Sequence, residues 1–355
     1  MISKAKRRGT VLCTAALAVA LVMTAPSTSQ AQTAANPLAD DTVIDFREEM
    51  RLLVQNVSSF ARRYNPSFVV LAKNGLELVG KINPQDDTQV FPARAYIRSL
   101  DGFLEENLIE RVDGDPNADE KTQKDPLVIA RRERLVADIK TAKMLGLNIL
   151  DLEYADTAAE IDKTYQTTAQ KGFVPFVATS TFMGDLPKYP KQTFNANPKS
   201  LSDIASAENF VYIANSQGFG TVDDYVQALS YTNHDVIVTN VFHGRTPLRR
   251  IDVHRMKFKN LGSRRLVLAE LDISTAATYH YYWQSNWGVG SPPFISIPLL
   301  EDPDRHRTLF WDPNWQSVIS GGTNSFLYGI IDLGFDGVVL KGVDAWRFFE
   351  TGGEE

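Results

Sequence analysis

One texture dominates this sequence: short apolar runs rich in β-branched and aromatic residues, each set off by a longer stretch of helical periodicity. The runs fall at residues 68–72, 95–100, 147–152, 174–179, 210–214, 236–241, 265–273 and 337–340. Amphipathic stretches lie between them, at 45–64, 131–145, 157–171, 222–231 and 315–331. A strand that is apolar throughout, without alternation, must be buried on both faces, which is the condition of a parallel sheet covered by helices. Eight such runs fit an α/β fold of the closed (β/α)8 TIM-barrel type, whose usual size is ~250 residues. An open doubly wound sheet is the alternative. No Gly-rich phosphate loop follows any run, which counts against a nucleotide-binding version of either fold.

Residues 186–208 break the texture with Pro187, Pro190, Pro198 and several Asn and Ser. They read as a linker joining halves 42–185 and 209–350 of a single barrel domain spanning 32–350. Residues 32–41 read as a flexible leader, 113–125 as a solvated loop and 351–355 as a frayed tail.

The first 31 residues read as a signal peptide. Lys4, Lys6, Arg7 and Arg8 precede an apolar run at 11–23, and Ser29 and Ala31 are placed for cleavage before Gln32. The run is shorter than the about 20 residues a spanning helix needs, so no membrane span is expected there or later. The mature chain is therefore expected in the periplasm or secreted. Cleavage removes Cys13, the only cysteine, so no disulfide can form. It also removes those four positive charges, taking the formal net charge from −6 to −10. An acidic chain is a poor partner for nucleic acid. It suits a neutral or cationic partner, or reflects solubility alone.

Three phrases in the second half carry a resemblance. The first is Val267-Leu268-Ala269 leading to Tyr279, Tyr281, Tyr282 and Trp283. The second is Phe310-Trp311-Asp312-Pro313-Asn314-Trp315-Gln316. The third is Gly334-Phe335-Asp336-Gly337-Val338-Val339-Leu340, continuing to Val343-Asp344-Ala345-Trp346. Together they resemble glycoside hydrolase family 114, the endo-α-1,4-polygalactosaminidase-like barrels. Val211-Tyr212-Ile213 and His234-Asp235-Val236-Ile237-Val238 look like the opening of that barrel. The first half resembles the rest of the family, in Lys73-Asn74-Gly75, Leu100-Asp101-Gly102 with Glu105-Glu106, Leu152-Glu153-Tyr154 and Gly172-Phe173-Val174-Pro175. Here these elements precede the family's opening strand instead of following its Asp-Gly strand. The resemblance thus implies a circularly permuted barrel, with 186–208 joining the ancestral ends. It predicts that 210–214 pairs with 174–179, and 337–340 with 68–72.

Glycosidic cleavage normally needs two carboxyl groups, one protonated and one ionised, at the C-terminal ends of barrel strands. The resemblance implies Glu106 as general acid/base, although it also reads as an exposed glutamate at a helix start. Three family acids are replaced, by Asn240, Ser274-Thr275 and Lys341; a lysine there would pair with an acid or bind an anionic group. A displaced second carboxylate is sought at Asp272, Asp336 or Asp344. Glu270 shares a strand face with Asp272, and such pairs are commonly polar networks. Asp336 also reads as a structural turn residue. Asn74, Glu153, Tyr154, Asn240, Glu270 and Lys341 are candidate substrate contacts, with Trp287 and Trp311 as stacking platforms and packing as their plainer role.

The five histidines have no ligand spacing and there is no Gly-x-Ser-x-Gly elbow, so neither metal nor cofactor is expected. The resemblance implies an amino-sugar polysaccharide of galactosamine type as partner, cut by an endo-acting hydrolase. A catalytically degenerate barrel that binds glycan, or serves in an envelope assembly, is the other reading. A two-domain solute-binding protein fits less well.

Overall fold

The computed structural model describes residues 44–83 and 85–353. Residues 1–31, read as a signal peptide, and 32–41, read as a leader, lie outside the described residues. Eight parallel strands form the main sheet. In chain order they are β1 (Val69–Lys73), β2 (Gly102–Glu106), β3 (Asn148–Tyr154), β4 (Val174–Ala178), β5 (Phe210–Ile213), β6 (Val236–Thr239), β7 (Leu266–Asp272) and β8 (Gly337–Lys341). Their order across the sheet is β4-β3-β2-β1-β8-β7-β6-β5. Every residue of β1, β4, β5 and β6 is buried, as strands covered on both faces require.

The sheet is barrel-like and nearly closed. First and last strands are neighbours, in register from Val69 against Gly337 to Ala72 against Leu340, as the sequence predicts. The other predicted pairing, of 210–214 with 174–179, is not made. Among the described residues no backbone ladder joins β4 to β5. Instead the rings of Phe176 and Phe210 stand 5.4 Å apart, and Asn215 N donates to Met183 O at 3.3 Å just beyond the strand ends.

Helices cover the sheet where the sequence calls for them. Asp45 caps Phe46–Tyr64, accepting from Glu48 N at 2.9 Å, and Met50, Leu53, Val54, Val57, Phe60 and Ala61 form its buried face. Thr157 and Glu160 close a capping box on Ala158–Gln170. The predicted helix at 315–331 is two helices, Pro313–Ser320 and Phe326–Leu333, interrupted at Gly321-Gly322, which costs helix stability.

The run at 95–100 is corrected. Arg94–Ser99 is a helix with Tyr96 and Ile97 buried, and the strand follows as β2. Apolar residues at 96, 97 and 100 have helical spacing, whereas β2 ends in two glutamates that disguise it as polar.

Residues 186–208 contain only a 3-10 turn, Ile204–Ser206, so this connection lacks a covering α-helix. It is fastened by Lys259, whose ammonium donates to Asn197 O at 3.0 Å and Lys199 O at 2.9 Å while pairing with Asp235 at 2.5 Å. Lys259 and Asp235 are both fully buried at their side chains.

Asp235 belongs to a recurring device at the N-terminal rim of the barrel. Asp101, just before β2, accepts Val70 N at 2.7 Å, and Asp336, just before β8, accepts Val267 N at 3.0 Å. Each aspartate stitches the start of its own strand to a neighbour. In both Asp-Gly pairs the glycine permits close strand approach, since a side chain on Gly102 would meet Asn148 O and one on Gly337 would meet Val69 O.

Candidate active site at the barrel mouth

The C-terminal ends of the strands open into a cavity of about 710 Å³, lined among others by Lys73, Asn74, Glu106, Asp272, Lys341 and Asp344. A second cavity of about 490 Å³ adjoins it, lined among others by Asn240, Glu270, Tyr279 and His280. Asp272, Thr275, Arg305 and Lys341 line both, so they stand as a bar across one continuous cleft.

Each strand-end acid meets a cation. Lys73, closing β1, holds Glu106, closing β2, at 2.8 Å. Tyr154 donates to the other Glu106 oxygen at 2.8 Å, and Asn74 Oδ1 accepts Glu106 N at 3.2 Å. Asn74 adopts φ 54°, a left-handed conformation asparagine tolerates better than most residues; its amide reaches Asp344 at 3.4 Å. Burial pushes the Glu106 carboxyl up, but the Lys73 ammonium and the hydrogen bonds from Tyr154 and Asn74 outweigh it and leave it below the usual value.

Glu270 and Asp272 project from β7 two residues apart, on one face by alternation. Glu270 takes the Tyr212 hydroxyl and lies 3.7 Å from Lys341. Asp272 is bound by Arg305, the Ser274 and Thr275 amides at 3.0 Å each and the Thr275 hydroxyl at 2.8 Å. Burial raises its carboxyl, yet Arg305, Lys341 and these donors bring the net shift below the usual value. Arg305 arrives on an excursion between β7 and β8, a three-stranded sheet of Thr275–Ala277, Arg305–Thr308 and Ile295–Pro298. His280, beside this bar, is driven down to about 4 by burial, and is neutral at pH 7.

The structure therefore gathers Glu106, Asp272, Asp344, Asn74, Tyr154, Asn240, Glu270 and Lys341 at the mouth. Four other candidates are placed elsewhere. Asp336 sits at the opposite rim, paired with Lys257 at 2.8 Å and Arg264 at 2.6 Å. The five residues of β8 separate it from the mouth, roughly 17 Å at the usual strand rise. Glu153 turns away from the cleft to accept Ile109 N at 2.9 Å, in the first turn of the helix Leu108–Asp113. Its neighbour Asp151, buried beside it, accepts Leu108 N at 3.3 Å.

Trp287 and Trp311 are packing residues, half-buried and outside both cavity linings. Trp287 abuts Phe294 at 5.4 Å and Trp283 at 5.7 Å. Trp311 lies 4.7 Å from Phe349 and 4.9 Å from Phe46. Aromatic bulk is better used under these loops than exposed on them.

Two residues escaped the sequence reading. Lys73 carried a signal, a lysine closing an apolar run. Arg305 carried none, since its loop is charged throughout. Among the described residues no group of three or more His, Cys, Asp or Glu is placed to hold a metal ion, and no helix is long and apolar enough to cross a membrane.

Comparison with known proteins adds distant kinship without function. No protein-family profile matches the chain. An 86-residue stretch is 35% identical to an uncharacterized protein of Deinococcus radiodurans, covering 23% of this chain and 26% of that one. A stretch of 173 residues is 27% identical to an uncharacterized protein of Methanocaldococcus jannaschii, covering 45% and 48%. An uncharacterized protein of Thermotoga maritima matches at 24% over 86 residues, covering 24% and 25%. The chain spans from about a quarter to about half the length of these relatives.

Chemically, the mouth offers ionised carboxylates, hydroxyls and cations in close alternation. Such a surface can hold hydroxyl-rich or charged molecules. Neither Glu106 nor Asp272 is poised as a proton donor, because their neighbours favour the charged form.

Proposed function

We propose that this protein is an exported, glycoside-hydrolase-like barrel whose mouth engages an amino-sugar polysaccharide, with Glu106 as the carboxylate that meets the sugar. The observation that carries the reading is the position of Glu106, at the C-terminal end of β2 on a cavity large enough for sugar rings. Kept ionised by Lys73, Glu106 suits the role of base toward water, or of partner to a sugar ammonium, better than that of acid. The family-114 likeness in permuted order is supported by the pairing of β1 with β8 and by the helix-less connection 186–208, whereas the other pairing it calls for, β4 with β5, has no ladder among the described residues.

One observation favours the second reading, glycan binding without cleavage. Glu106 and Asp272 are both held ionised, while standard glycosidic cleavage needs one carboxyl protonated. The test incubates purified protein with partially deacetylated galactosamine polymer and follows product size and polymer retention. Shortening by the wild type but not by Glu106→Gln supports the hydrolase. Equal shortening by both removes Glu106 from the mechanism. Retention without shortening selects the binding reading, and neither retention nor shortening rejects both.

A further inference from the structure

We infer that the second cavity, of about 490 Å³, is a subsite for an uncharged sugar ring, which stacks on Tyr279 and accepts hydrogen bonds from Asn215 and Asn240; this rests on the polysaccharide reading and adds a neutral residue to its substrate.

The platform stands on the excursion after β7. Tyr279 lines the cavity with about half of its surface exposed. Its ring meets that of His280 at 5.2 Å, and His280 in turn lies 5.5 Å from Phe242 and 5.1 Å from Phe326. These rings back Tyr279 without charge, since burial keeps His280 neutral at pH 7. A pyranose presents a face of C–H groups, which gains burial and dispersion against such a ring.

The donors stand just beyond the ends of β5 and β6. Asn215 Oδ1 accepts Gln217 N at 2.9 Å, and Asn240 Oδ1 accepts Phe242 N at 3.0 Å. A backbone N–H can only donate, so each bond fixes which side of the amide is oxygen and leaves the NH2 group as a donor. Among the described residues neither NH2 has a protein partner. Phe242 joins donor to platform, because its N–H holds Asn240 while its ring abuts His280.

This chemistry selects against charge. An amide NH2 can meet a hydroxyl, ring or carbonyl oxygen, whereas an ammonium is itself only a donor and gains nothing there. Acids and cations line the cavity in equal number. Of the acids, Glu270 takes the Tyr212 hydroxyl and Asp272 is bound to Arg305. The volume lies within the range of about 300–1,000 Å³ typical of small-molecule sites.

Calorimetric titration with a short, fully N-acetylated galactosamine oligomer, which is neutral, and with its deacetylated, cationic counterpart tests this. Wild-type affinity for the acetylated oligomer should change less than about twofold between about 0.05 and 0.5 M salt, because no ion pair forms. Tyr279→Ala should weaken that binding about tenfold, and Tyr279→Phe by less than about twofold. Asn240→Asp still accepts Phe242 N but loses the donor, so preference should move about tenfold toward the deacetylated oligomer. If the wild type fails to bind the acetylated oligomer yet retains the deacetylated polymer, the inference is overturned, the polysaccharide reading stands, and no variant has to fold. Binding that Tyr279→Ala and Asn240→Asp both leave unchanged overturns it too, as does a steep loss of affinity with salt. Failure of both oligomers and of the galactosamine polymer to bind removes both readings together.

Discussion

Lys73 Nζ sits 2.8 Å from Glu106 Oε2, with only about a tenth of the lysine side chain exposed. Each charge is tolerable at this depth because of the other. Replacing Lys73 by Met leaves Glu106 with burial as the dominant influence, so its pKa should rise above the usual carboxylate value. Carboxyl-carbon NMR titration of the two proteins reads this directly. The stability consequence has a definite sign. A depressed carboxylate stabilises above its unfolded pKa of about 4.3 and loses that stabilisation as pH falls through the folded value. Lys73→Met should cost about 3 kcal/mol at pH 7, with the gap narrowing below about pH 4. A gap independent of pH would contradict the pairing.

Asp151 is pushed strongly upward by burial and then by the charge of Glu153. It stays protonated in the fold at pH values where the unfolded chain, with a pKa of about 3.9, has released the proton. Stability therefore falls as pH rises above about 4. Asp151→Asn preserves the acceptor for Leu108 N, supplies donors toward Glu153 and removes the titration. Its melting temperature should exceed the wild type's by more at pH 8 than at pH 5, at about 2 °C per kcal/mol regained. An equal difference at both values would sink the assignment.

Lys259 is the fastening of the helix-less connection. Lys259→Met leaves Asp235 buried without its cation, at a cost of about 3–5 kcal/mol. Limited proteolysis should then cut first within 186–208, because the carbonyls of Asn197 and Lys199 lose their donor. Unchanged cleavage sites and melting would show that the connection is held by other means.

Gly342→Ala combines a left-handed φ with a collision against Ser274. A strained backbone of this kind costs on the order of 1–3 kcal/mol. Any relaxation would move Ser274, which donates to Asp272, so the predicted signature is a lower melting temperature together with a shifted Asp272 titration. Normal melting and an unshifted titration would contradict the tight packing of this turn.

Much of the barrel was legible because strands buried on both faces leave uninterrupted apolar runs, and caps such as Asp45 and Thr157 mark helix starts. The strand that was misplaced, Gly102–Glu106, ends in two glutamates that erase the apolar signature: Glu106 lines the mouth, and Glu105 is buried against Leu76 N and Arg111. Asp336 and Glu153 misled for a related reason. Strand faces alternate and strands have two ends, so an acid near a strand in sequence can serve the opposite rim or the helix side. The Lys73–Glu106 pair joins neighbouring strands, and Arg305 enters from an excursion more than thirty residues beyond Asp272. Neither can be read from local spacing.

The joint between β4 and β5 is stitched by the Phe176 and Phe210 rings instead of a ladder. Parting there would break no ladder between the two strands among the described residues, so this is the line along which the barrel should open first. Solvent deuterium should enter the facing edge amides of those two strands well before it reaches the amides shared by β1 and β8.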